Sequence, residues 1–173
     1  DDGTVMPFHQ MPVLVVDGTS IAQTGGIARF CGKLSGLYPT DDHLKAAQID
    51  QFIDFATDLN TMVSSTNQTK DEEQKLAARL KLANGPLKRK LGMLARSILK
   101  GSDWIVPPSM SIADIAIWRV LGWFTSGLLD GMPKDLLTDF PKIKRVCLAV
   151  DQHPKVQEWI GRTYPKNYVR GTY

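Results

Sequence analysis

The chain has 173 residues, of which 43% are hydrophobic and 23% charged, and 21 Lys and Arg against 18 Asp and Glu give it a net charge of +3. This composition is typical of a globular protein, and the length suits one domain with a good core or two small domains. The small charge gives no ground for a nucleic-acid partner, and no apolar run is long enough to span a membrane.

The two cysteines, Cys31 and Cys147, lie far apart, and each falls in an apolar helical pattern. This placement predicts two buried, reduced thiols rather than a disulfide-based secreted fold. No charged and apolar leader begins the sequence. We therefore expect the protein in the cytoplasm, or in an organelle after removal of a transit peptide.

The first strong pattern is residues 10–24, QMPVLVVDGTSIAQT. The β-branched run 13–16 predicts a strand, Asp17-Gly18 favours a two-residue hairpin turn, and residues 19–22 predict the returning strand. A helix should follow, with Thr24 as a candidate N-cap. The expected local structure is a hairpin that leads directly into a helix.

This arrangement would bring the polar pair Gln23-Thr24 to a helix N-terminus, where free N–H groups and the helix dipole favour an anion. Pro12 fixes the chain just before the first strand. A cis bond at Pro12 would leave the neighbouring backbone free to pair with an extended peptide ligand. The same pattern is also that of a hairpin and a capped helix without a ligand, and both interpretations stay open.

Residues 25–34 predict a helix with one buried face, and Gly36 is expected to end it. The buried face contains the following apolar residues: Ile27, Phe30, Cys31 and Leu34. Pro39 and the following aspartates break the periodicity, so residues 37–41 are predicted to be a linker.

From His43 onward the chain is predicted to be almost entirely helical. The first long helix carries an apolar stripe: Leu44, Ala47, Ile49, Phe52, Ile53, Ala56, Leu59 and Val63. Three carboxylates, Asp50, Asp54 and Asp58, are spaced four apart on another face. They could bind a divalent cation or form a solvated edge, and we favour the solvated edge.

Residues 70–100 predict a second long helical segment, which Gly85-Pro86 should kink or break near Asn84. Residues 87–90 form a basic cluster. This cluster could contact nucleic acid or an acidic surface, but a solvated helix face is the favoured interpretation.

Ser111 and Asp114 have the spacing of a capping box, and the run that follows is apolar nearly all round. This predicts a capped helix at the centre of the helical region, with a structural rather than catalytic role for the two residues. Residues 136–140 and 143–150 predict two further helical patches, and another helix is expected from His153 to Gly161. The basic, aromatic stretch from Tyr164 is predicted to be an extended arm.

Residues 10–18 and 21–24 together resemble the glutathione-binding half of a cytosolic glutathione transferase. The nearest class is sigma, which includes the haematopoietic prostaglandin D synthases and the lens S-crystallins. The resemblance covers nearly the whole chain and implies glutathione as co-substrate. The spacing of His9, His43 and His153 does not fit a metal site, so no metal is expected.

The resemblance assigns a part of the glutathione site to each matching position. It implies a cis Pro12 and backbone pairing of Val13 with the cysteinyl part of glutathione. Gln23 and Thr24 would hold the γ-glutamyl carboxylate, and Gln10, with Met11 beside it, would help to hold the tripeptide. Asp58 would reach across a homodimer to the amino group of glutathione.

The fold class implied is α+β to mostly α. Residues 1–36 would be part of a thioredoxin-like domain, residues 42–165 an all-helical domain, and residues 166–173 a tail. The family's first β-α-β unit has no counterpart here, so we expect Asp1 not to be the biological start.

In the sigma class a tyrosine of that first unit activates the glutathione thiol. None of the tyrosines of this chain matches its position: Tyr38, Tyr164, Tyr168 and Tyr173. No catalytic residue is therefore predicted within this sequence. The favoured function is transfer of glutathione to a small electrophile, or isomerisation of a lipid peroxide. The alternative is a non-catalytic structural or scaffold subunit of a larger assembly.

Overall fold

The structure is a computed structural model that describes residues 6–173. The first five residues, which the predicted thioredoxin-like region includes, lie outside this range. Two strands are followed by seven α-helices: β1 Val13–Val16, β2 Thr19–Ala22, α1 Thr24–Ser35, α2 His43–Ser64, α3 Glu72–Leu82, α4 Lys88–Ser97, α5 Ile112–Thr125, α6 Pro141–Asp151 and α7 Pro154–Thr163. In this range no helix combines the length and the apolarity that crossing a membrane requires.

The predicted hairpin is confirmed. Strands β1 and β2 pair antiparallel, with Val13 opposite Ala22 and Val16 opposite Thr19. Asp17 and Gly18 both have positive φ, 48° and 77°, which is the backbone that a type I′ turn requires and that matches the right-handed twist of the strands. The turn therefore fixes the register of the hairpin.

Helix α1 begins and packs differently from the prediction. Gln23, not Thr24, is its N-cap, while Gly36 ends it in the left-handed conformation as predicted. The predicted buried face is wrong for Cys31, which is exposed, and for Leu34, which is 75% exposed. A two-stranded hairpin covers too little of the helix to bury a whole face.

The opposite side of α1 carries small residues and approaches α5 closely. A Cβ atom at Gly32 would lie 2.9 Å from the side chains of both Ile112 and Tyr38. This distance is shorter than ordinary van der Waals contact, so glycine is the residue that allows α1 to approach. The contact sets the position of the hairpin and α1 relative to the helical region.

The core lies between α2, α5 and α6. The prediction that α5 is the buried centre is confirmed, since Ala113, Ile117 and Leu121 are fully inaccessible. The apolar stripe of α2 is buried from Ile49 to Val63. Its first turn projects beyond the core, so the prediction is wrong for Leu44, which is 72% exposed, and for Ala47, which is also exposed.

The predicted interruption at Gly85-Pro86 takes the form of a π-helical turn, Ala83–Leu87, between α3 and α4. Pro86 lacks the N–H that a regular α-helical bond would need. The adjoining basic cluster is not a free cationic face. Lys88 pairs with Asp139 at 2.7 Å and Lys90 with Asp58 at 3.5 Å, in agreement with an ordinary surface role.

Residues 136–140 are not helical, in contrast to the prediction. They form successive turns in which Thr138 donates to the carbonyl of Asp135, and Phe140 to that of Leu137. Pro141 then begins α6 and cannot donate the hydrogen bond that would continue a preceding helix. The predicted helices α6 and α7 are present.

The segment after Tyr164 has no regular structure, but it lies against α5 rather than extending as an arm. The Tyr173 hydroxyl donates to the carbonyl of Trp118 at 3.1 Å, and Arg170 pairs with Asp151 at 3.2 Å. Tyr164 and Tyr168 stack with ring centroids 4.1 Å apart. The last four residues, 170–173, are thereby fixed against α5 and the end of α6.

Candidate functional site

A narrow crevice of about 40 Å³ lies where the chain enters the hairpin and leaves it for α1. It collects residues from both ends of the hairpin: Phe8, Gln10, Met11, Pro12, Ala22, Gln23 and Thr24. The Met11–Pro12 peptide bond is cis. The structure thus brings together five residues for which the sequence predicted a role in one site.

Val13 adjoins this crevice through its backbone. The two-residue turn closes on the hydrogen-bonded pair Val16 and Thr19, and the bonding pattern alternates along an antiparallel ladder. The N–H and C=O of Val13 therefore point away from β2. Among residues 6–173 no other strand pairs with this edge of β1, so these groups can pair with an extended chain lying along it.

Gln23 is held in an unusual backbone conformation, with φ 72° and ψ 124°. A non-glycine residue in this region costs about 1–3 kcal/mol and occurs where the surrounding structure requires it. No side chain caps α1. The first N–H groups of the helix are thus left with the partial positive charge that favours an anion.

His9 is a second residue with a left-handed backbone, at φ 49°. Glycine adopts such a conformation without steric cost, whereas a residue with a side chain does so with strain. The backbone at the entrance to the crevice is therefore strained at His9 as well as at Gln23.

A second cavity, of about 600 Å³, adjoins the crevice and shares Gln23 and Thr24 with it. Three helices each contribute one stripe of side chains at helical spacing. From α1 come Gly25, Ala28, Cys31, Gly32 and Ser35; from α2 come Ile53, Ala56, Thr57 and Asn60; and from α5 come Ile112, Ile115, Ala116, Arg119, Val120 and Trp123. Leu37 completes the wall.

The cavity exists because small residues face it where helices would otherwise interdigitate. Gly25 and Ala28 on α1 and Ala116 on α5 leave space that larger side chains would fill. Most of the residues that line the cavity are apolar. A few, such as Thr57 and Asn60, have polar side chains that can hydrogen-bond a ligand. A concave, largely apolar site of about 300–1,000 Å³ is the usual form of a small-molecule site.

A charged network fixes α1 on α2 beside this cavity. Arg29 donates to Asp50 at 2.6 Å and to Asp54 at 3.0 Å, and the Tyr38 hydroxyl donates to Asp50 at 3.0 Å. The acidic stripe of α2 is ion-paired and also largely solvated, since the side chains of Asp54 and Asp58 are 72% and 62% exposed. Across residues 6–173, no group of three or more His, Cys, Asp or Glu side chains could hold a metal ion.

No tyrosine lies among the described residues that line either cavity. The Tyr38 hydroxyl donates its hydrogen bond to the Asp50 carboxylate. Burial, together with this bond, raises the pKa of Tyr38. The other three tyrosines lie on the C-terminal segment. None of the four is placed to donate a hydrogen bond to a thiol in the crevice.

Asp58 does not join the crevice residues within one chain. It lies on the exposed face of α2 and pairs with Lys90, whose ammonium is 5.4 Å from the centre of the Phe55 ring. The sequence interpretation places Asp58 in a site formed across a dimer, and that assignment stays a prediction.

Ser111 and Asp114 form the predicted capping box at the start of α5. The Asp114 carboxylate accepts from the N–H of Ser111 at 2.8 Å and from the N–H of Ile105 at 2.7 Å. Burial raises the pKa of Asp114, and these donors oppose the rise. Neither residue lines a cavity, so they support the site by fixing the direction of α5.

Residues 57–162 match the sequence model of the family described as "Glutathione S-transferase, C-terminal domain". This match covers more than half of the chain, and the protein therefore belongs to the glutathione S-transferase family. The sequence resemblance is confirmed at this level.

Similar proteins agree with this assignment. Glutathione S-transferase 2 of Manduca sexta is 26% identical over 94% of this chain and 78% of its own length. Human hematopoietic prostaglandin D synthase is 26% identical over 92% and 75%. The structure of prostaglandin synthase D of Nilaparvata lugens matches with a TM-score of 0.80 at 26% identity, over 92% of this chain and 77% of that one.

The sequence interpretation missed most of the large cavity. Thr57, Asn60 and Arg119 were not singled out, although Arg119 interrupts an otherwise apolar helix. That interruption was the only feature of the sequence that pointed to a cavity beside this helix. Thr57 and Asn60 lie on the more polar, exposed side of α2, and only the packing of α1 and α5 shows that this side borders a cavity.

Proposed function

We propose that this protein is a sigma-like glutathione transferase that joins glutathione to a small electrophile or isomerises a lipid peroxide. The observation that carries the proposal is the junction of the two cavities at Gln23 and Thr24. The small crevice and the apolar cavity share these two residues, so a peptide bound along β1 and a second, apolar substrate would lie side by side.

In this proposal the γ-glutamyl carboxylate binds at the N-terminus of α1, beside Gln23 and Thr24. The exposed N–H and C=O of Val13 pair with the cysteinyl backbone, and Gln10 and Met11 border the peptide. Pro12 shapes the crevice without donating a hydrogen bond. The strained backbone of Gln23 supports a binding role, because such conformations concentrate at ligand sites.

The chemistry is addition of a thiolate to an electrophilic carbon. With an α,β-unsaturated aldehyde the sulfur forms the new bond, the π electrons move to the carbonyl oxygen, and a proton then neutralises the adduct. With a chlorinated aromatic ring the sulfur replaces chloride, which leaves with the electron pair of the broken C–Cl bond. Within residues 6–173 no tyrosine is placed to stabilise the thiolate. We assign to the described part of the chain the binding of glutathione and the enclosure of the electrophile.

We also propose a cytoplasmic homodimer, with residues 1–36 as part of a thioredoxin-like domain and residues 42–165 as a helical one. Two exposed apolar side chains support self-association: Phe8 is 58% exposed and Met93 is 53% exposed. Met93 borders an apolar cavity of about 170 Å³ with Phe52 and Phe55. In a dimer Asp58 would reach the amino group of glutathione held by the other subunit.

Calorimetric titration of the full chain with reduced glutathione tests the binding site. Replacing Gln23 and Thr24 together by alanine should weaken binding by about tenfold or more, because charge-assisted hydrogen bonds to a carboxylate are lost. Gln68→Ala with Thr69→Ala is the matched control, since this second Gln-Thr pair lies at the end of the 3₁₀ helix Ser65–Gln68 and lines neither cavity. Equal binding by the two double variants would contradict the proposal.

The alternative function is a non-catalytic scaffold, which the lack of a cavity-lining tyrosine in the described part favours. Transfer of glutathione to 1-chloro-2,4-dinitrobenzene distinguishes the two. Turnover above the rate of the uncatalysed reaction supports the transferase. Glutathione binding without turnover toward this or an unsaturated aldehyde supports the scaffold.

A further inference from the structure

A broad groove lies on the outer face of α6, away from the buried face of that helix. Its volume is about 770 Å³, and its walls come from α6, from the loop before α5 and from the start of α7. It shares no lining residue with the crevice or with the large cavity. The groove is therefore a separate feature of the molecular surface.

The groove is open along its length. Of the described residues that line it, seven are exposed and four are half-buried. A small-molecule site, by contrast, encloses about 70–90% of its ligand. The lining positions on α6 run from Pro141 to Gln152, which is about 16 Å at 1.5 Å per residue. Five residues of extended chain cover the same length at about 3.3 Å each, so the groove suits a short extended segment.

Two cations occupy the middle of the groove. Lys144 is half-buried and Arg145 is exposed, and neither forms an ion pair in the described part of the chain. Lys142 provides the contrast, since it donates to the carbonyl of Ile98 at 2.6 Å. Asp103 is the one acidic residue among those that line the groove. Two cations against one carboxylate leave the groove with a positive charge that favours an acidic ligand.

Apolar surface adjoins the two cations on both sides. Leu148, one helical turn after Lys144, is 37% exposed, and Pro141 is exposed one turn before Arg145. Trp104, from the loop before α5, lines the same groove. One helical turn of four residues is about 6 Å, and side chains on one side of an extended chain repeat at about 6.6 Å. An acidic residue with apolar residues two positions away would therefore match this spacing.

The end of the groove holds a hydrogen-bonding atom without a partner. Nδ1 of His153, the N-cap residue of α7, is the one buried side-chain nitrogen or oxygen in residues 6–173 that makes no hydrogen bond. Buried polar atoms are normally paired. A polar group of a bound segment that reached this nitrogen would remove that cost.

We propose that this groove docks an extended acidic segment of a partner protein. A carboxylate of the segment pairs with Lys144 and Arg145, and apolar side chains two positions away contact Leu148 and Trp104. A nucleic-acid strand fits less well, because its regular phosphates need cations along the whole path and would approach Asp103. The proposal holds whether or not the chain transfers glutathione.

Nuclear magnetic resonance of the isotope-labelled full chain measures binding and locates it. The probe is the peptide Leu-Ser-Glu-Ser-Leu with both ends blocked, which has one charge and reads the same in both directions. We expect it to shift the indole N–H of Trp104, which Trp104→Phe assigns, and the amides of α6. The peptide with Gln in place of Glu should bind about tenfold more weakly, since two partly screened ion pairs are lost.

Substitutions then test the two cations. Lys144→Gln with Arg145→Gln should weaken the Glu peptide about tenfold and leave the Gln peptide unchanged. Arg145→Lys should keep most of the binding because it keeps the charge. Arg89→Gln with Lys90→Gln is the matched control, since this neighbouring Arg-Lys pair lies on α4 and does not line the groove. This control should bind both peptides as wild type does.

Several outcomes would overturn the proposal. They are equal affinity for the two peptides, equal weakening in the two double variants, and no shift of the Trp104 indole at millimolar peptide. Tighter binding of single-stranded oligouridylate at the same resonances would assign the groove to nucleic acid and also overturn it.

Glutathione separates this proposal from the proposed function. Titration of reduced glutathione into Lys144→Gln with Arg145→Gln should give the wild-type affinity, because the groove and the crevice share no residue. Charge-dependent peptide binding without glutathione binding supports the groove and contradicts the transferase. Glutathione binding and turnover without peptide binding supports the transferase and contradicts the groove.

Discussion

The two cysteine thiols differ because one lies at a helix surface and the other in the core. Cys31 is exposed at the wall of the large cavity, whereas Cys147 is completely buried in α6. Burial in apolar surroundings raises the pKa of Cys147, so very little of its reactive thiolate forms at neutral pH. The burial of Cys147 and its raised pKa therefore both make it less reactive than Cys31.

We predict that an aromatic disulfide reagent such as DTNB modifies one thiol of the native protein rapidly and the second only on unfolding. Absorbance of the released thiolate measures both phases. Cys31→Ser should abolish the rapid phase, and Cys147→Ser should leave it intact. Rapid reaction of both thiols in the native protein would show that α6 is not packed as the structure has it.

At the scale of secondary-structure elements, close approach of backbones decides how the C-terminal segment packs on α5. Gly122 of α5 faces this segment, and a Cβ there would clash with the carbonyl oxygen of Arg170 and the Tyr173 hydroxyl. Gly171 has a positive φ of 148° and approaches Gly122 in turn. The segment is held by a matched pair of glycines as well as by the Arg170–Asp151 ion pair.

Gly122→Ala should therefore displace the segment and destabilise the fold by about 1–3 kcal/mol, the usual cost of overpacking. Trypsin cleavage after Lys166 and Arg170, followed by mass spectrometry, should become faster than in wild type. Gly161→Ala is the control, because an added Cβ there meets no atom within 4 Å and alanine favours the helix. Equal cleavage rates in both variants would show that the segment does not depend on this contact.

At the scale of the whole molecule, the proposed homodimer connects the exposed surface to the binding site. Phe8 is exposed beside the crevice, and the small apolar cavity near Met93 lies on α2 and α4. A two-fold symmetric dimer contains each contact between the subunits twice, so a single substitution changes both copies of that contact. Self-association would also bring Asp58 toward the second subunit's crevice.

We predict that Phe8→Ala weakens the dimer by about tenfold or more, because burial of an aromatic side chain is lost. Sedimentation velocity at several concentrations measures this change. Asp58→Asn should instead keep the dimer and weaken glutathione binding. Leu34→Ala, at an exposed apolar residue of α1, serves as the control for lost surface hydrophobicity. A wild-type protein that sediments as a monomer at every concentration would contradict the prediction.

Local interactions along the chain determined much of the fold. The Asp17-Gly18 turn, the Ser111–Asp114 capping box and the end of α1 at Gly36 each depend on residues within one or two turns of one another. The sequence therefore predicted them, whereas the roles of the crevice residues near Pro12 were assigned through the resemblance to the glutathione transferases.

Contacts between distant elements decided the rest. The large cavity forms only where stripes from α1, α2 and α5 meet. The exposure of Cys31 and the docking of the C-terminal segment on α5 also depend on contacts between elements that are distant in the sequence. A helical pattern shows that a face is apolar, but the partner that covers it, or leaves it open, is set by tertiary packing.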